Sequence, residues 1–220
     1  MKPRSPFTQT FEELPDSLPI FPLENALLPG GELPLELSAP NDLALFLRAL
    51  KSDQLIGMVQ PDPGHPQRGV HEVGCAGRIR QYRERKDGKL NIMLTGLCRY
   101  RIIEQTAHAD GYLMARVDWA DFAADYLVEE VELAIVQDFK QTLRGYFERH
   151  RMQVDWPTLD KLPIEQLVNN LVLVMNLDID NKQRLLESAT VSQRVMLFSG
   201  LLAQKARPIQ ASSVDSPRIN

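Results

Sequence analysis

Apolar residues in the first half of the chain come in short runs broken by proline and glycine, and in the second half they recur at three- and four-residue spacing. The runs Leu18-Pro19-Ile20-Phe21-Pro22-Leu23 and Glu32-Leu33-Pro34-Leu35-Glu36-Leu37 predict two strands. Proline has no N–H for a ladder, so both belong at an edge or are irregular. Leu27-Leu28-Pro29-Gly30-Gly31 between them is a turn signal. Pro40 suits the first turn of a helix, and Leu43, Phe46, Leu47 and Leu50 follow at helical spacing. Leu55–Val59 predicts a buried strand, and the three prolines and two glycines of 61–69 predict a loop. Val73–Arg83 and Leu90–Thr95 pair across the Asp87-Gly88 turn. Gly96 interrupts the second of these as a bulge or bend. The strand resumes over Leu97–Glu104 and is answered by Tyr112–Asp118.

The period then changes. Val128, Val131, Ile135, Phe139, Thr142 and Tyr146 mark one face of a long helix. After a turn at Trp156-Pro157, Pro163 opens a helix with Ile164, Leu167, Val168, Leu171, Val172 and Met175 on one stripe. Asp180 with Gln183, and Thr190 with Gln193, have capping-box spacing for a short helix to about 187 and a final one to about 205. The reading is an α+β chain: a small mixed β-barrel with one helix over 16–120, then a four-helix bundle over 121–206. The segments 1–15 and 207–220 are expected to be flexible ends.

Composition narrows the function. At 220 residues and 44% hydrophobic the chain buries a core without staples. A net charge of -4 gives no global attraction to nucleic acid or anionic lipid. The two cysteines, Cys75 and Cys98, both lie in apolar strand runs and read as buried thiols. The start has no apolar run of the signal-peptide kind, and no apolar stretch approaches a membrane span, so the expected location is the cytoplasm.

No catalytic, cofactor or metal constellation emerges. His71 and Cys75 lie roughly 13 Å apart along an extended strand, too far for a nucleophile–base hydrogen bond. Adding His65 gives an improvised ligand set without zinc-site spacing. Asp178-Ile179-Asp180-Asn181 lacks the glycine and distal glutamate of a calcium loop and reads as a helix cap. There is no phosphate-binding loop.

Three motifs carry a resemblance. The first is Leu18-Pro19-Ile20-Phe21-Pro22-Leu23 followed by Leu28-Pro29-Gly30-Gly31 and Leu33-Pro34-Leu35. The second is Gly74-Cys75-Ala76-Gly77-Arg78-Ile79, and the third runs from Asp87-Gly88 through Gly96 to Arg99-Tyr100-Arg101-Ile102. Their order and spacing resemble the substrate-binding N-terminal domain of Lon proteases over roughly residues 16–205. The resemblance implies a PUA-like barrel followed by a helical bundle. It also implies a partner: an unfolded polypeptide or a specific protein segment, held in a groove between the two units. In Lon proteases an ATPase and a Ser-Lys peptidase follow, and this sequence carries neither. The expected role is therefore non-catalytic recognition or an adaptor function, with no cofactor and no membrane partner. The sequence sets no oligomeric state.

Pro29, Gly30 and Gly31 are the candidate peptide contacts, since their loop has little reason to be buried. The alternative is RNA binding. If strand alternation holds, Arg78, Arg80, Arg99 and Arg101 share an outer face beside Met93 and Thr95 and form a basic patch.

Overall fold

The computed structural model describes residues 9–205. Six strands, β1 (Ser17–Pro22), β2 (Glu32–Leu37), β3 (Leu55–Val59), β4 (Val73–Glu84), β5 (Leu90–Ala107) and β6 (Leu113–Asp118), form one sheet. Helix α1 (Pro40–Lys51) crosses between β2 and β3. β1 pairs with β3 in parallel, and every other pairing is antiparallel. Following the pairings from β6 through β1, β3, β4 and β5 returns to β6, so five strands close a ring. β5 makes closure possible by its length. One of its edges takes β4, and the other takes β2 along Leu90–Thr95 and then β6 along Arg101–Ala107.

The change of partner falls at Gly96 and needs a residue without a side chain. A Cβ there would lie 2.0 Å from the Leu28 carbonyl oxygen. The Gly96 N–H donates to the Gly31 carbonyl and the Gly96 carbonyl accepts from the Gly30 N–H. The β4–β5 register slips beside it, leaving Leu97 as the extra residue on β5, and slips again at Arg80 on β4. The barrel interior is filled. Tyr100 is fully buried and its hydroxyl donates to the Met58 carbonyl at 3.2 Å. Cβ atoms at Gly57 or Gly74 would come within 2.6 Å of that hydroxyl.

The helical half comprises α2 (Leu133–Arg149), a single turn α3 (Trp156–Leu159), α4 (Ile164–Val174), α5 (Ile179–Glu187) and α6 (Val191–Lys205). α6 packs against α2, α4 and α5. The long helix begins later than its apolar periodicity suggests: Val128 precedes it and is 77% exposed. The short helix is capped by Asp178, which accepts from the Asn181 N–H at 2.7 Å, and not by Asp180. Thr190 caps the last helix through the Gln193 N–H. The head expected to be loose is packed from Phe11 onward: Phe11 stacks edge-on to Tyr126, and Leu14 is buried. Residues 1–8 and the tail expected to be flexible, 207–220, lie outside the described residues.

Two buried polar connections tie the halves together. Arg99, on β5, is 3% exposed and meets Asp125 at 2.7 Å. Its remaining donors reach the carbonyls of Leu186 and Ser188 at the α5–α6 junction. Burial pulls the guanidinium pKa down, and Asp125 more than reverses the pull. Arg194, on α6, donates to the Leu185 carbonyl and to Asn169 Oδ1, and Asn169 donates to the Pro29 carbonyl at 2.6 Å. Burial, and then the nearby Arg99 charge, push Arg194 down to about 10, so it stays charged at neutral pH.

Three outcomes are expected. Gly96→Val forces Leu28 away and should cost about 2–4 kcal/mol, lowering Tm by roughly 5–15 °C; an unchanged melt would refute the close approach. Arg99→Met strands a buried carboxylate and should cost about 3–5 kcal/mol in urea unfolding, much of it recovered in the double variant Arg99→Met/Asp125→Leu. Glu129 accepts from the Val191 and Ser192 N–H groups at the start of α6. Burial raises its pKa, but the Ser192 and Val191 hydrogen bonds win and hold it below 4.5. A depressed carboxyl adds stability above its unfolded pKa and loses it as pH falls through the folded value. Glu129→Gln should therefore destabilise by about 0.5–2 kcal/mol at pH 7. Its melting curve should approach wild type as pH falls through the lowered folded pKa of Glu129.

Candidate functional site

A cleft of about 650 Å³ opens between the β1–β2 connection and the α4–α5 junction. On the barrel side the Leu23 N–H donates to the Val59 carbonyl, which fixes Leu23, Glu24 and Asn25 as one wall. On the helical side the chain leaves α4, buries Leu177, and restarts as α5 at the Asp178 cap. Asn25 joins the walls: its side chain donates to the Leu173 carbonyl at 3.1 Å and accepts from Lys182 Nζ at 2.7 Å. Leu23, Leu177 and Ile179 give the cleft an apolar floor, and Pro63 flanks it.

The rim is mostly acidic. Glu24, Asp178 and Asp180 are exposed, whereas Lys182 is buried. Burial lowers the Lys182 pKa, and Glu24 partly restores it. Asp178 sits below its ordinary value because the Asn181 N–H donates to it. A concave surface with an apolar floor and polar edges suits noncovalent binding of a chain segment. It has no nucleophile and base in contact.

The sequence-level candidates land elsewhere. Pro29 and Gly31 are buried and Gly30 is half-buried. The expectation of an exposed loop fails because these residues serve as the latch: Gly30 and Gly31 bond to Gly96, and the Pro29 carbonyl accepts from Asn169. The basic face also fails to form. Residues opposite one another in a ladder share a face. Arg78 lies opposite Thr95, whereas Arg99 and Arg101 lie opposite Cys75 and Val73, one step out of phase. The bulge at Leu97 causes the shift. Arg99 is then covered by helices, and Arg101 is paired with Glu72 and Asp121 at 3.3 and 3.1 Å. Arg80, the extra residue at the second slip, is exposed.

His65 and His71 both turn to Asp62, at 2.6 and 3.9 Å. Cys75 is fully buried, and burial raises its thiol pKa far above the ordinary range. Among the described residues no group of three or more His, Cys, Asp or Glu is placed to hold a metal ion, and no helix is long and apolar enough to cross a membrane. The cleft residues are not among the positions that the sequence pattern singles out. The signal was present in Leu177-Asp178-Ile179, where a cap lies between two apolar residues, but only the fold shows what lies opposite.

Comparison with known proteins agrees with this architecture. The chain is similar to Lon protease 2 of Myxococcus xanthus, 29% identical over 219 residues, covering 93% of this chain and 26% of that protein. It is 26% identical to the Lon protease of Anaeromyxobacter dehalogenans over 220 residues, 93% of this chain and 25% of that one. It thus spans about a quarter of the length of these curated relatives. Two solved structures share the fold. The Lon N-terminal domain protein from Xanthomonas campestris aligns with a TM-score of 0.61 at 21% identity, covering 85% of this chain and 97% of that one. The N-terminal domain of Mycobacterium avium complex Lon protease aligns with a TM-score of 0.63 at 19% identity, covering 85% and 98%. The family model of the ATP-dependent protease La (LON) substrate-binding domain matches residues 17–204, and the chain belongs to that family.

Proposed function

We propose that this domain recognises unfolded or exposed polypeptide segments, seating them in the cleft between the β1–β2 connection and the α4–α5 junction, and that it performs no chemistry itself. The observation that carries this reading is the cleft: an apolar floor of Leu23, Leu177 and Ile179 between two halves that the Asn25 bridge joins. Membership of a family described as substrate-binding supports it. The site offers a segment contact along a groove, with apolar side chains below and polar groups at the rim. Strand addition at the edge of β2 fits less well. Pro34 in the middle of that strand has no N–H to offer, and the exposed Glu32 and Glu36 flank it.

The two halves, 16–120 and 121–206, act as one binding unit, because the cleft needs a wall from each. Polypeptide is favoured over RNA because the four arginines that would have carried RNA do not share a surface. A cytoplasmic setting, with protein clients or a separate protease as partners, belongs to the same proposal.

The test uses reduced, carboxymethylated α-lactalbumin as a permanently unfolded probe, with binding followed by fluorescence anisotropy. Leu23→Gln and Ile179→Asn alter partly exposed floor positions and should leave the melt nearly unchanged. Each should weaken binding by about 3- to 10-fold, the range for losing one apolar contact. Binding should survive high salt. Wild-type affinity retained in the double variant would move the site elsewhere.

A further inference from the structure

A second concave surface lies on the far side of α1. The helix buries Leu45, Phe46 and Ala49. Its other stripe is Ala44, Leu47, Arg48 and Lys51, which share one face at helical spacing. Leu47 is 51% exposed on that stripe. The opposing wall comes from the β5–β6 turn. His108 stacks on Tyr112 with ring centroids 4.4 Å apart and planes at 13°, and half-buried Met114 lies beside them. Together they enclose about 470 Å³.

The lining also holds one exposed carboxylate, Asp110, whose N–H donates to His108 Nδ1 at 3.2 Å. Among the described residues neither Arg48 nor Lys51 has a carboxylate partner. Elsewhere Arg68, Arg85, Lys89, Arg101, Lys140 and Arg144 are paired, while exposed Arg80, Arg83, Lys86 and Lys161 have no carboxylate partner among the described residues either, so what marks this face is the apolar surface beside its cations. Cations in the last turn of a helix are favoured by its dipole. That accounts for Arg48 and Lys51, but not for the exposed leucine beside them or the apolar wall opposite.

We infer that this face of α1 is a second contact site, selective for acidic polypeptide segments that carry an apolar side chain. The inference rests on the polypeptide-binding reading above and adds a client class to it. Leu47, Tyr112 and Met114 receive the apolar side chain, and Arg48 and Lys51 take the flanking carboxylates. The first cleft has an acidic rim, so the two sites select segments of opposite charge. A client carrying both gains from simultaneous engagement.

The probes are a fluorescein-labelled twelve-residue peptide alternating Asp and Glu with Leu and Phe, the same peptide with Asn and Gln for the acids, and a twelve-residue oligouridylate. Arg48→Glu/Lys51→Glu changes exposed positions only, and Leu47→Gln tests the apolar component. Circular dichroism melts confirm folding of each. The acidic peptide should lose at least about tenfold in affinity in the charge-reversed protein, and its binding should weaken steeply with salt. The amide peptide should change by less than about twofold there, while Leu47→Gln should weaken both peptides. Absence of saturable binding by the acidic peptide overturns the inference, as does equal loss for the two peptides. Tighter binding of oligouridylate, abolished by the same reversal, overturns it in favour of a phosphate backbone. Unfolded α-lactalbumin separates the two proposals: if it still binds through Leu23 and Ile179 while the acidic peptide fails, this inference alone falls. If neither probe binds, both fall.

Discussion

The buried pair of Arg99 and Asp125 is the interaction on which the arrangement of the two halves depends. Removing two charges from water is expensive, and the mutual attraction repays the cost only when the remaining donors are also satisfied. Here they are. Arg99 spends its other hydrogen bonds on the Leu186 and Ser188 carbonyls, and the Arg99 N–H itself reaches Asp125. One guanidinium therefore fixes a barrel strand, the 3-10 segment Ala120–Tyr126 and the junction of two helices. Arg194 makes the second connection, through Asn169 to Pro29, with neutral acceptors in place of a carboxylate partner. Hydrophobic contact brings the halves together without direction; these polar contacts select one orientation.

That orientation creates the main cleft. Its walls belong to different halves, so its width is set by how the α4–α5 junction meets the β1–β2 connection. Asn25 and Lys182 bridge that meeting point, and the buried arginines hold the helices behind it. Leu23 and Ile179 keep the floor partly exposed, and the Asp178 side chain beside them caps α5 by accepting from the Asn181 N–H. The Cys75 thiol is sealed in the core, and the histidines near it in sequence turn to Asp62.

Much of this was legible in the chain. The alternation of β4 and β5, the Asp87-Gly88 turn, the helix opened by Pro40 and the stripe from Ile164 to Met175 all rest on local periodicity, which a sequence displays directly. Gly96 reads as a bend in the sequence, and its close approach to Leu28 is visible only in three dimensions. The site was less legible. Strand alternation assigned Arg78 and Arg99 to one face because a sequence does not show where a ladder slips by one residue. The loop at Pro29 looked exposed because proline and glycine mark turns, and composition does not say whether a turn is covered. Both errors come from long-range contacts: the bulge at Leu97 and the arrival of Asn169 from a helix more than a hundred residues away.

The length of β5 has a mechanical consequence. An extended strand of this size spans roughly 60 Å at about 3.4 Å per residue. It is held on one edge by β4 and on the other by β2 and then β6. Tension directed along the strand loads many ladder hydrogen bonds in parallel, whereas tension across it breaks them one after another. A load carried through this domain would therefore be resisted best when it runs parallel to β5. The direction of the load, as much as its size, would decide whether the barrel opens.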